Sequence, residues 1–156
     1  MGLMEDLKQE TVAKLTLRKA VSLTADKTTR DAIEAMRRAN LGCVIVIDNE
    51  QKPVGMFTEA LLRAELSRDP NCVELSLGES MATPFPWVSI NDPIQTVLDA
   101  MEAKNHRFVA VVDDTGKLVG LTGQKGLMEY VAEHFSEEVM VQRIGSEPYP
   151  HSREGA

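Results

Sequence analysis

From Leu23 to Leu62 the hydrophobic positions change period as the chain advances. Ala32, Ile33, Ala35, Met36 and Ala39 recur at the three- and four-residue spacing of one helix face. Thr28 and Thr29 stand just ahead of them as N-caps, with Asp31 in the first turn. Val44 to Ile47 is a continuous run of β-branched residues, the pattern of a strand covered on both faces. The polar stretch Asp48 to Pro53 supplies a turn, Val54 to Phe57 a return strand, and Glu59 to Leu66 opens a second helix. That helix must stop before Asp69-Pro70, because the residue preceding proline disfavours helical dihedrals. With a short strand at its start, the segment reads as a β-α-β-β-α unit.

The same order recurs further along. Leu23 to Leu62 lies on Val88 to Leu127 without a gap, an offset of 65 residues with ten identities in 40 positions. The identities are Ala35/Ala100, Met36/Met101, Asn40/Asn105, Val44/Val109, Val46/Val111, Asp48/Asp113, Lys52/Lys117, Val54/Val119, Gly55/Gly120 and Leu62/Leu127. The second copy predicts a helix over 94–104, strands over 108–112 and 118–122, and a helix over 124–135. Each copy has a leader, Thr11 to Leu15 and Leu77 to Pro84. A unit of about 55 residues cannot cover both faces of its own sheet, so the copies are expected to pack on a pseudo-two-fold axis. The fold class is α/β, of the α+β type. The chain divides into an N-terminal leader helix (1–15), a first repeat (16–73), a second repeat (74–135) and a C-terminal tail (136–156). In the tail, Val139, Val141 and Ile144 share a face, and Pro148-Tyr149-Pro150 breaks any regular element.

Composition narrows the function. Hydrophobic residues are 43% of the chain, charged ones 26% and aromatics 4%, so the core is aliphatic, with Met36, Met56, Met81, Met101 and Met128 as filler. A net charge of -7 disfavours nucleic acid or an anionic membrane as partner. Cys43 and Cys72 lie far apart without a CxxC, which supports neither zinc nor a disulfide framework. No apolar run exceeds five residues, so the protein is expected to be neither secreted nor membrane-spanning but cytoplasmic.

The leader Ser80-Met81-Ala82-Thr83, the Ala-Met pair in each helix, and Val-x-Val-x-Asp before a Gly-bearing strand resemble the CBS (cystathionine-β-synthase) domain. The doubling resembles a tandem pair, a Bateman module, over about Thr11 to Phe135. That resemblance implies a regulatory module holding an adenosine-containing ligand such as AMP, ADP, ATP, NAD or S-adenosylmethionine between the repeats. It also implies a homodimer, a regulated partner protein of unknown identity, and no metal.

Nucleotide-binding members of the family follow the Gly-bearing strand with Thr-x-x-Asp, which holds the ribose. Here Thr58 matches but Leu61 stands at the aspartate position; in the second copy Gly123 and Gly126 replace both. Loss of a charged acceptor costs about 1.5 to 3 kcal/mol of binding. His106-Arg107, ahead of the second copy's central strand, resembles the phosphate-contacting pair of the regulatory gamma subunits of AMP-activated protein kinase; an arginine fork and an imidazole suit a phosphate. Their counterparts, Leu41 and Gly42, offer no side-chain donor. Thr122 and Lys125 are further candidates. Each has a structural alternative: Thr58 as a helix cap, His106-Arg107 as a solvated turn favoured by a helix C-terminus, Lys125 as a surface charge. The expected ligand set is therefore Thr58 at the ribose with His106 and Arg107 at phosphate. The other reading is an interaction scaffold with degenerate clefts. No nucleophile with a base, carboxylate pair or phosphate loop is legible, and His106, His134 and His151 share no metal-binding spacing, so no enzyme activity is expected.

Overall fold

Thr28 starts the first long helix as the periodicity requires. Its hydroxyl accepts from the Asp31 amide while the Asp31 carboxylate accepts from the Thr28 amide, a reciprocal capping box. In this computed structural model, which describes residues 2–103 and 105–145 with side chains as far as Ser136, the first repeat is β1 (Ser22–Thr24), α2 (Thr29–Ala39), β2 (Cys43–Ile47), β3 (Pro53–Thr58) and α3 (Glu59–Arg68). The second is β4 (Trp87–Ser89), α5 (Ile94–Ala103), β5 (Phe108–Val112), β6 (Leu118–Gly123) and α6 (Gln124–Gly145). A short α1 (Leu3–Gln9) precedes them and α4 (Leu77–Ser80) lies between them. Each repeat forms one three-stranded sheet with its central strand parallel to the first and antiparallel to the third.

Strand alternation divides the core into three. Val44, Val46 and Phe57 face α2 in one cluster, and Val109 and Val111 face α5 in a second. The opposite faces, carrying Cys43, Ile45 and Met56 from one sheet and Ala110 and Leu121 from the other, share a third cluster between the repeats. Both sheets are therefore covered on both sides, which is why the central strands read as unbroken apolar runs.

The leaders are exchanged. Val12 and Ala13 donate to the Asp92 and Ile90 carbonyls of the second repeat, and Leu7, Val12 and Leu15 are buried in its core. The second leader docks on the first repeat instead: Leu77 donates to Lys27, is fully buried against α2 and β2, and Ala82 pairs with Met56. Each crossing explains a glycine that both repeats share. A Cβ on Gly55 would stand 2.3 Å from the Met81 Sδ, and one on Gly120 would stand 3.0 Å from the Leu17 Cβ.

Three expectations need correction. Ala39 is exposed with the whole last turn of α2, and Met128 is 69% exposed rather than core filler. The final helix runs past Phe135 to Gly145, because 136–145 contains strong helix formers and no breaker before Pro148. The side chains of Val139, Val141 and Ile144, and residues 146–156 with Pro148-Tyr149-Pro150 and His151, lie outside the described residues.

Candidate functional site: two clefts related by the repeat

The larger cleft forms where α3 begins and the loop ahead of β5 approaches it. Asn105 adopts a left-handed conformation (φ 55°) that turns the chain out of α5, and His106 is held by its amide donating to the Met101 carbonyl at 2.9 Å. Arg107 follows, its guanidinium carbon 5.7 Å from the centre of the Phe108 ring. Across the cleft, the Thr58 hydroxyl accepts from the Leu61 amide at 3.2 Å, so it caps α3 and keeps its own proton to donate. Thr58, Glu59, Arg63, His106 and Arg107 line one cavity of about 290 Å³. The structure thus brings together the three residues singled out for ribose and phosphate, from opposite repeats.

Glu59 and Arg63 were not found from the sequence. Both follow from α3 once Thr58 is fixed as its cap: Glu59 is the first helical residue and Arg63 lies four positions on, one turn up the same face. Glu59 owes its place to Gly42, the counterpart of Arg107; a Cβ on Gly42 would stand 2.9 Å from the Glu59 Cδ. Leu61, at the family's aspartate position, packs partly buried against the first repeat's core.

Thr122 and Lys125 line a second, smaller cavity of about 180 Å³ with Arg18, and Arg107 borders both cavities. The two clefts are counterparts: Met56, Thr58, Glu59 and Ala60 of the larger correspond at the 65-residue offset to Leu121, Gly123, Gln124 and Lys125 of the smaller.

Other reactive groups sit away from these clefts. Burial pushes the Cys43 thiol up to about 12, and Cys72 is buried too. The Thr115 hydroxyl, first, holds the Asp113 carboxyl below its ordinary value, with the Lys117 and Thr115 amides adding to it. Among the described residues no cluster of His, Cys, Asp and Glu is placed to hold a metal, and no helix is long and apolar enough to cross a membrane.

Two sheets that exchange leaders and enclose a repeat-related pair of clefts define a tandem-repeat module. The family model of the CBS domain matches residues 12–68 and again 74–133. The chain belongs to the CBS domain family, as a tandem pair. An uncharacterized protein of Methanopyrus kandleri, MK0525, is 23% identical over 137 residues, covering 85% of this chain and 70% of that protein. The chain spans from 27% to 70% of the lengths of the curated relatives it matches. Among solved structures, the CBS domain pair of protein MJ0100, in complex with 5'-methylthioadenosine and S-adenosyl-L-methionine, superposes with a TM-score of 0.69 at 18% identity, covering 80% of this chain and 98% of that one. The CBS domain protein PAE2072 from Pyrobaculum aerophilum, complexed with AMP, gives 0.65 at 24% identity, covering 79% and 99%. At these identities the likeness establishes the fold.

Proposed function

We propose that this chain is a regulatory module, not an enzyme, that binds an adenine nucleotide or related adenosyl ligand in the larger cleft. The observation that carries this reading is the convergence of Thr58 and Arg63 from one repeat with His106 and Arg107 from the other. A ligand there bridges the repeats, so occupancy favours one relative arrangement of the two sheets. The basic side chains receive the phosphate, and the Thr58 proton and the Glu59 carboxylate face the ribose hydroxyls in place of the missing aspartate. Ligands of the structural neighbours, AMP in one and two adenosyl compounds in the other, support the same class. The module acts in the cytoplasm as a homodimer upon a partner protein, and exposed Leu66, Met128 and Phe135 are apolar surface available to such contacts.

Thermal-shift titration with AMP, ADP, ATP, NAD and S-adenosylmethionine tests the reading. A true ligand at a hundred times its dissociation constant adds about 2.7 kcal/mol of stability. His106→Ala is expected to reduce the shift from phosphate-bearing ligands and leave that from adenosine. The scaffold reading is favoured by Leu61, an apolar side chain packed partly buried against the first repeat's core where a ribose acceptor would stand; absence of any shift would select it.

A further inference from the structure

The smaller cleft lacks what a nucleoside needs and holds what a small anion needs. Its volume of about 180 Å³ is well short of the larger cleft's about 290 Å³, and Gly123 and Gly126 stand where a ribose clamp would need a hydroxyl and a carboxylate. Arg18, Arg107 and Lys125 line it, and none of its lining residues is acidic, whereas the larger cleft carries Glu59. The start of α6 opens into it. In the first repeat the Thr58 hydroxyl satisfies the Leu61 amide. Its counterpart Gly123 has no side chain, so the amides of Lys125 and Gly126, in the first turn of a 22-residue helix, receive no cap from that position.

The independent observation is Thr122. The residue is 3% exposed, and its hydroxyl oxygen is buried with no hydrogen-bond partner. It faces the same first turn: a Cβ on Gly126 would stand 2.7 Å from it. A native hydroxyl buried without a partner is costly, and here it lies beside the first turn of α6 in a cavity lined by three cations. Gly123 also cannot be replaced by a capping residue, since its φ is 154° and a Cβ would meet the Arg107 carbonyl oxygen at 2.1 Å. The backbone itself keeps this helix end open.

We propose that the smaller cleft is a binding site for a small tetrahedral oxyanion, of the inorganic phosphate or sulfate class. The anion takes the Thr122 hydroxyl and the Lys125 and Gly126 amides on one side and the Arg18, Arg107 and Lys125 side chains on the other. The site is separate from the proposed adenosyl site; Arg107 and Phe108 border both.

Titration with inorganic phosphate, followed by backbone amide resonances at constant ionic strength, tests this. The expected result is a saturable shift of the Lys125 and Gly126 amides. Thr122→Val, which keeps the shape and removes the hydroxyl, is expected to weaken the affinity about tenfold, and Lys125→Ala to weaken it as well. Shifts that never saturate, that sodium chloride reproduces, or that fall on Thr58 and His106 instead would overturn the site. So would an unchanged affinity in Thr122→Val. Failure of adenosyl ligands to bind the larger cleft leaves this result standing.

Discussion

Asn40 and Asn105 both hold positive φ (52° and 55°) where a helix turns into a central strand, so the repeat preserves a left-handed cap. Asp48 and Asp113 are equally structural. Each accepts the amides two and four residues on, Glu50 and Lys52 in one turn and Thr115 and Lys117 in the other, at 2.8 to 3.1 Å. Gly55 exists to let Met81 cross it, and Gly55→Ala is expected to cost about 1 to 3 kcal/mol, measured by urea unfolding. Burial raises the Cys43 thiol from 9.0 to about 12, so it stays protonated when folded while the unfolded chain ionises first. Its contribution to stability is intact below pH 9 and falls as pH rises towards 12. At pH 8 neither thiol is expected to react with a disulfide reagent until denaturant is added. These identities were legible because the same geometric demand occurs twice. Thr122 was a candidate from the sequence, but its isolation was not legible: that depends on Gly126 and Gly123 in three dimensions, and no sequence pattern marks a hydroxyl as unpartnered.

The helix and strand order was readable from period alone, since the sheets are covered on both faces and the helices on one. Helix ends were harder. The last turn of α2 projects beyond its cover, leaving Ala39 exposed, and α6 continues because nothing stops it before Gly145. The start of α3 carries both a structural and a proposed binding role in one residue. Thr58→Ala is expected to lose about 1 kcal/mol of stability from the missing cap, whereas Thr58→Ser keeps it. Adenosyl binding that survives in Thr58→Ser and is lost in Thr58→Ala, after correction for stability, supports the ribose role. Equal binding in both variants leaves Thr58 a cap alone. Arg63 and Glu59 escaped notice because the family pattern drew attention to Leu61, which packs partly buried against the first repeat's core.

At the scale of the whole molecule, the exchange of leaders makes the two repeats interdependent. Residues 3–15 complete the second repeat's core, and two polar contacts tie them to α6: His134 Nδ1 lies 3.0 Å from the Asp6 carboxylate, and the Tyr130 hydroxyl donates to Glu10 at 2.6 Å. Deleting residues 2–15 is expected to cost about 3 kcal/mol or more through loss of Leu7, Val12 and Leu15, with hydrogen-exchange protection lost first in β5 and β6. A chain in which the deletion left both sheets equally protected would contradict the exchange. The same interlocking brings the Thr58 and His106-Arg107 sides of one cleft from different repeats, which no reading of either copy alone could establish. Calorimetric titration of the full chain with AMP, ADP, ATP, NAD and S-adenosylmethionine tests that arrangement most directly. The account predicts saturable binding of at least one of them, weakened about tenfold or more by His106→Ala. No saturable binding of any, or binding indifferent to His106, would contradict it.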